Sequence, residues 1–247
     1  MKTINTRKTI RKYSDKPVSD ELLNRLLAEA MRTQTMGNLQ LYSVVVTRSA
    51  EMKEKLAPAH FCQPMVTQAP CVITVCADVH RFSMWCEQRD AEPCYDNFAW
   101  FLNGVTDALL AAQNLCVEAE AHGLGICYLG TTIYTAEEIA RILDLPKGVI
   151  PVTTVVVGHP DESPELTDRL PLDAVVHCEK YHHYTSSEID ELWAEKETSE
   201  ETRRLLEENG LPNLAQIFTR NRYRAEDNLA ISRNYFALLK KQGFFNN

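Results

Sequence analysis

Thr6-Arg7-Lys8-Thr9-Ile10-Arg11-Lys12-Tyr13 sets four cations within six residues of a chain that carries 34 Asp and Glu against 26 Lys and Arg. With a formal charge of -8 overall, so dense a basic stretch needs a local reason. The pattern predicts a short helix over 4–13, ended by Asp15 and Pro17. On that helix Arg7 and Arg11 are four residues apart and share a face, Lys8 lies beside them, and Thr9 adds a hydroxyl donor. Ile10 and Tyr13 then face the core. Guanidinium forks and a hydroxyl near a helix start suit a phosphate monoester of nearly two charges. A solvated basic face and a short basic helix at a membrane are the other two readings of these cations.

The acidic balance argues against nucleic acid as a partner, because phosphates need a net basic surface. No apolar run reaches the 18 to 20 or so residues of a membrane span. The N-terminus has no signal-peptide core, and the acidic Ser19-Asp20-Glu21 follows too soon for a transit peptide. The expected location is the cytoplasm, with no membrane partner. Eight cysteines contain no C-x-x-C pair and several lie in apolar runs, which reads as free thiols in a reducing compartment. No metal-ligand set is assigned: zinc spacing is absent, and His177, Cys178, His182 and His183 read as a tail crossing a surface.

Working outward, Ser19 caps an amphipathic helix with Leu22, Leu23, Leu26 and Leu27 on one face. A polar turn, Gln34 to Gln40, precedes a strand over 41–47. A helix around 49–57 leads to Gln63-Pro64 and a buried strand over 71–77. A long helix from about Asn97 to Ala121 is apolar around most of its circumference, so it crosses the middle of the fold or a subunit interface. Asp107 inside it reads as a buried acid bonded to neighbouring backbone, without a catalytic role. Gly123 closes that helix. A strand over 125–130, a helix over 135–145 and a strand over 149–158 follow, in an α+β or α/β alternation. The division drawn is a main domain, 1–184, and a charged helical extension, 185–247, packed on that domain or on a partner subunit.

Gly123, Gly125 and Gly130 do not make a dinucleotide fingerprint, because the first two precede a strand and the third comes too late. No phosphate loop, nucleophile elbow or H-E-x-x-H occurs. No catalytic side chain is therefore assigned.

Arg7-Lys8-Thr9-Ile10-Arg11 matches, at each position, a motif of Arg or His, Arg or Lys, Ser or Thr, Ile or Val, then Arg. Thr35, Asn38 and Gln40 fit a polar turn of the P-S-x-x-N-x-Q type, with Gln34 in place of proline. Gln63 to Pro70 reads Q-x-x-x-x-Q-A-P, and Gly123-Leu124-Gly125 leads to Gly130. Leu143 to Pro146, Gly158 to Pro160 and Arg169-Leu170-Pro171 complete the series. In this order and spacing, residues 1 to about 184 resemble the FMN-dependent nitroreductase family. The tail ending in Lys240-Lys241-Gln242-Gly243-Phe244 resembles that of its larger, NADPH-preferring flavin reductases.

The resemblance implies a nitroreductase-like α+β fold, a central mixed or antiparallel sheet flanked by helices, in a homodimer with intertwined helical extensions. FMN would lie at the dimer interface, with NADPH or NADH as electron donor. Arg7, Lys8, Thr9 and Arg11 would hold the phosphate and ribityl chain, and Arg169 would add charge. Thr35, Met36 and Asn38 would come from the other subunit, Gln63 would approach the isoalloxazine, and Leu129 and Gly130 would cover its face or edge. The larger reductases usually carry a lysine where this chain has Thr167, which leaves the N-terminal cations a larger share of the phosphate. The implied activity is a two-step, ping-pong transfer: hydride from the nicotinamide to flavin N5, then two electrons to a nitroaromatic, quinone or related small aromatic acceptor. The alternatives are another FMN enzyme of the same fold, a dehalogenase or a flavin-modifying enzyme, and a non-enzymatic flavin- or surface-binding module.

Overall fold

Residues 4–245 are described by the computed structural model. Four strands form one sheet: β1 (Tyr42–Thr47), β2 (Cys71–Asp78), β3 (Gly125–Leu129) and β4 (Val149–Gly158), in the order β1-β2-β4-β3. Each neighbouring pair is antiparallel, which resolves the choice between α+β and α/β in favour of α+β. Pro151 interrupts β4, where it has no N–H to give the ladder. The register shifts there, with Thr153 opposite Val75 and Pro151 opposite Cys76, so Val152 is the extra residue of a bulge.

The helices in the first part of the chain are α1 (Asp20–Ala30), α2 (Ala50–Leu56), α3 (Pro64–Gln68), α4 (His80–Glu87), α5 (Phe98–Ala121), α6 (Thr131–Tyr134) and α7 (Ala136–Ile142). Strand alternation assigns them to two faces. Ile73, Val75, Ala77, Val155 and Val157 join a core with Leu23 and Leu26 of α1 and Ala108, Ala111 and Leu115 of α5. Val72, Val156, Cys127 and Leu129 join a second core with Leu56, Met65, Val66 and Ile139. Both faces are covered, which is why the strands read as unbroken apolar runs.

Ser19 and Asn97 cap α1 and α5 through side-chain oxygens, accepting from Leu22 N and Trp100 N. On α5 the buried residues Phe101, Gly104, Ala108, Ala111, Ala112, Leu115 and Ala119 follow helical spacing. Its other side leaves Leu102, Leu109 and Leu110 exposed. β1 pairs through one edge with β2 and has no second neighbour among the described residues.

The expected helix over 4–13 is corrected. Only Ile4–Thr6 makes a single 3-10 turn. Thr9 instead makes a parallel bridge with Ile126, and Tyr13 an antiparallel one with Pro160. Ile10 N–H donates to the Ile126 carbonyl at 3.0 Å, Ser14 N–H to His159, and Asp161 N–H to Lys12. So short a segment gains little as an isolated helix, whereas the open edge of β3 offers partners for its backbone. Ile10 and Tyr13 are buried all the same, at 6% and 7% exposure. Gly125 and Gly158 admit them: a Cβ at Gly125 would lie 2.7 Å from Ile10, and one at Gly158 2.9 Å from Tyr13.

Two compact units emerge from the contacts. The first is Met1–Glu165 with Ile231–Asn247, and the second is Leu166–Ala230. This division differs from the boundary drawn at 184/185, because Leu238, Leu239 and Phe244 near the end of the chain belong to the first core. The second unit contains α8 (Ser186–Thr198), α9 (Glu200–Asn209), α10 (Leu214–Gln216) and a π-turn, Ile217–Arg222. Thr185 and Glu188 form a capping box at the start of α8. The last helix, α11 (Ala225–Lys241), carries the boundary between the units within it. Among the described residues, no helix is long and apolar enough to cross a membrane.

Asp107, 1% exposed, does what its place in an apolar helix suggests. Its Oδ1 accepts from Met36 N–H at 2.9 Å and its Oδ2 from Leu41 N–H at 3.0 Å. One carboxylate thus ties the middle of α5 to both ends of the turn before β1. Asp107→Ala strands two amides and is expected to lose about 2–5 kcal/mol of stability in urea unfolding. Asp107→Asn, which keeps one acceptor, should lose less.

Candidate functional site

The extended segment brings its cations to the start of β3. Arg7 and Lys8 line a cleft of about 210 Å³ with Thr6, Gly123, Gly125 and Ser163, and Glu120 and Glu162 lie on the same wall. Thr9 and Arg11 do not line that cleft, yet the charges of Arg11 and Arg7 both bear on the Cys127 thiol. Burial raises that thiol's pKa, and the two guanidinium groups oppose the rise. Arg7, Lys8 and Arg11 make no ion pair among the described residues, although Arg7 acts on the Glu120 carboxyl across the cleft. Glu162 is otherwise engaged: its Oε1 accepts from the backbone N–H of Arg11 at 2.5 Å and of Lys12 at 3.0 Å. Burial holds the Glu120 carboxyl above its ordinary pKa against the pull of Arg7. A donor set of three cations without ion pairs beside a hydroxyl residue fits a phosphate monoester.

At the other end of β3 lie Leu129, buried, and Gly130, exposed. Four residue steps along a strand span about 13 Å, so a cationic end and a glycine end are separated by roughly that length. A Cβ at Gly130 would meet nothing within 4 Å, so the backbone there faces open space. Gln63 is half-buried at the N-cap of α3, and residues just before it in the chain contact the segment that follows Gly130. His60 Nδ1 lies 2.8 Å from Thr131 Oγ1, and Thr135 Oγ1 donates to the Ala59 carbonyl at 2.5 Å. The rings of Phe61 and Tyr134 stand 6.2 Å apart.

Sequence reasoning missed this His60–Phe61–Thr131–Tyr134 assembly. Phe61 and Cys62 both adopt left-handed backbone, with φ of 56° and 52°. Such a conformation in consecutive non-glycine residues costs of order 1–3 kcal/mol each and persists only when neighbours hold it. Here Cys62 N–H donates to the Ala57 carbonyl at 2.8 Å, and the fully buried His60 ring anchors the turn. Phe61 is left 60% exposed beside Gln63. The only sequence signal is Pro58 ahead of His60, which marks a turn but not its hand.

Thr35, Met36 and Asn38 are elsewhere. They form the turn before β1, with Met36 and Asn38 exposed and Thr35 half-buried. Gly37 and Asn38 have φ of 55° and 59°, and Gln40 Nε2 donates to Asn38 Oδ1 at 2.7 Å. β1 and β3 are the two edges of the sheet. Three inter-strand steps of about 4.8 Å each therefore separate β1, which follows the turn, from β3, which pairs with the Arg7–Arg11 segment and leads into Gly130. One copy of the sheet does not bring these two groups together.

Arg169 belongs to the second unit and is exposed. Its Nη1 donates to Thr167 Oγ1 at 2.9 Å and to the Asp168 carbonyl at 2.7 Å. Thr167 thus orders the arginine through its hydroxyl and adds no charge. Also in this unit, Arg224 pairs with Asp227 and Arg222 lies 5.4 Å from the centre of the Phe218 ring. His182 pairs with Glu188, and the His177 and Tyr181 rings lie 4.4 Å apart in a tilted arrangement. The eight cysteines are free, five buried and three exposed, so the expectation of buried thiols holds for part of the set. Burial pushes Cys76 and Cys116 up to about 12, which keeps them protonated.

Comparison with known proteins follows the same outline. The nitroreductase family profile matches residues 4–159. A Bacillus subtilis protein named FMN reductase (NADPH) is 30% identical over 184 residues, 74% of each chain. A Staphylococcus aureus NADPH-dependent oxidoreductase is 34% identical over 178 residues, 70% of each. Among solved structures, a candidate oxidoreductase from Bacteroides fragilis is 51% identical, with a TM-score of 0.98 over 100% of both chains. NfrA2 from B. megaterium is 31% identical, with a TM-score of 0.84 over 100% of this chain and 98% of its own.

Burial holds His60 down to about 4, against an ordinary value of 6.5. Between those values the unfolded chain binds the extra proton, so stability is complete above pH 6.5 and is lost as pH falls towards 4. The loss from this group should approach about 3 kcal/mol. Urea unfolding of His60→Gln across that range should show a correspondingly flatter pH dependence. From the profile match over residues 4–159 and relatives at least 30% identical over 70% or more of the chain, the chain belongs to the nitroreductase family of oxidoreductases.

Proposed function

We propose that the chain is an FMN-dependent NAD(P)H oxidoreductase, active as a homodimer, that reduces nitroaromatics, quinones and related electron-poor acceptors. The observation that carries this reading is the polarity of β3, with a cluster of cations that make no ion pair at its start and an open glycine backbone at Gly130 at its end. A ligand with an anionic tail and a planar head matches that layout. The names of the Bacillus and Staphylococcus relatives, an FMN reductase using NADPH and an NADPH-dependent oxidoreductase, support the cofactor and the donor.

In this proposal Arg7, Lys8, Thr9 and Arg11 would hold the phosphate and ribityl chain of FMN, with Arg169 adding charge. Gln63 would approach the isoalloxazine, and Leu129 and Gly130 would cover its face or edge. The chemistry FMN supplies when bound is two-electron transfer between a nicotinamide and an acceptor. The chain's own part is to bind, orient and stabilise charge, which agrees with the absence of an assigned nucleophile. One open face serving donor and acceptor in turn gives ping-pong kinetics.

The dimer is supported by two features. Thr35, Met36 and Asn38 stand at the opposite sheet edge from the cations, so a second copy is the natural source of that turn. The exposed Leu102, Leu109 and Leu110 of α5 offer an apolar face for such a contact.

The purified protein should be yellow, bleach anaerobically with NADPH and recover colour with a nitrofuran or a quinone. A colourless protein that FMN does not reconstitute overturns the reading. Arg7→Ala and Arg11→Ala should each weaken FMN binding by about 10- to 100-fold in a fluorescence titration, the worth of a charged hydrogen bond. For donor choice, Arg220 has no ion-pair partner among the described residues, while Arg222 and Arg224 are engaged. An Arg220→Ala, Arg222→Ala, Arg224→Ala variant should lower the NADPH to NADH preference in steady-state kinetics, and an unchanged ratio excludes these arginines as the phosphate grip.

A further inference from the structure

We propose, on the strength of the FMN reading above, that His60 is a positioning residue for the ring end of the site. Through Thr131 it fixes where the backbone after Gly130 stands relative to the turn that carries Gln63. His60 stands three residues before Gln63, and Thr131 directly follows Gly130. The 2.8 Å contact between His60 Nδ1 and Thr131 Oγ1 therefore ties these two segments together across 71 residues of chain. Both residues are buried, at 0% and 6% exposure. A second tie runs beside the first: Thr135 Oγ1 lies 2.5 Å from the Ala59 carbonyl oxygen and 3.1 Å from that of Thr131. The Thr132 hydroxyl donates to the Leu129 carbonyl at 2.9 Å and closes the turn through Gly130 on itself.

Packing alone gives no reason for an imidazole at this place. Both ring nitrogens of histidine can hydrogen-bond, yet His60 Nε2 is buried without a partner. An apolar side chain would fill the same space and strand no polar atom, so what the imidazole adds is Nδ1 on Thr131. Nδ1 is the ring nitrogen nearer the backbone, and the threonine hydroxyl hangs from Cβ. The link is therefore short and stiff, and a displacement of either segment is passed to the other. A further cost falls on the next two residues, because Phe61 and Cys62 both hold left-handed backbone. Strain that neighbours maintain in consecutive residues points to a segment whose placement matters. Here that segment leads straight into Gln63, and its partner carries the open backbone at Gly130.

Two pairs of variants of the full-length protein test it. Thr131→Val removes the hydroxyl at nearly constant volume, and Thr131→Ser keeps it. His60→Asn sets an amide near the Nδ1 position, whereas His60→Gln carries its amide out towards Nε2. Hydrogen–deuterium exchange of peptides spanning 57–63 and 129–135, read before any donor or acceptor is added, is the first measurement. Thr131→Val and His60→Gln should exchange there about tenfold faster, the worth of one buried hydrogen bond, with the rest of the sheet unchanged. The second is the anaerobic rate at which NADPH bleaches the bound flavin, which should fall about tenfold in the same two variants. Thr131→Ser and His60→Asn should recover both values. The Thr131 pair carries the test alone if the His60 variants do not fold. Wild-type exchange and bleaching in Thr131→Val overturn the positioning role alone, and so does a loss that Ser and Asn fail to recover, which assigns His60 to packing. A wild-type protein that takes up no FMN overturns the FMN reading and the positioning role together.

Discussion

The Ile10 N–H donated to the Ile126 carbonyl is the bond on which the arrangement of the candidate site depends. It holds the N-terminal stretch extended along β3, and the missing side chain at Gly125 lets Ile10 sit close enough to make it. Once Ile10 and Tyr13 are in the second core, Arg7, Lys8 and Arg11 can go only outward, onto one edge of the sheet. The cations are thus positioned by apolar neighbours. An acidic protein acquires a local positive site without a basic surface, because the field that matters to an anion is set within a few ångströms.

β3 then serves as a ruler. Its two ends are fixed by different devices: the bridge at Thr9 near the start, and the His60–Thr131 contact near the finish. The second device carries strain, since Phe61 and Cys62 hold left-handed backbone beside Gln63. A buried imidazole that stays neutral suits the task, because a charged ring there would need a partner that the core does not supply.

α5 links the separate parts. Its buried small residues let the sheet approach, and Asp107 in its middle reaches the turn before β1. Its exposed leucines face away from the core, and its C-terminal end converges with α1. An apolar helix with a single buried acid is in this way both a packing element and the support for the Thr35–Asn38 turn.

The sequence by itself determined the elements and their class. Ser19 and Asn97 announce helix starts, the Val- and Ile-rich runs announce strands covered on both faces, and Asp107 in an apolar helix announces a bond to backbone. These signals are local: a cap, a period of two or 3.6, a lone polar residue among apolar ones. The order of motifs from Arg7 to Arg169 carried the family. Only the tertiary structure decided that residues 7–13 are extended, because the three-residue spacing of Ile10 and Tyr13 favours a helix and the backbone partners that override it lie at Ile126 and His159. It alone joined His60 to Thr131 across 71 residues and turned the hand of Phe61 and Cys62. Contacts between residues far apart in the chain leave no period or spacing to read, since they depend on how finished elements pack.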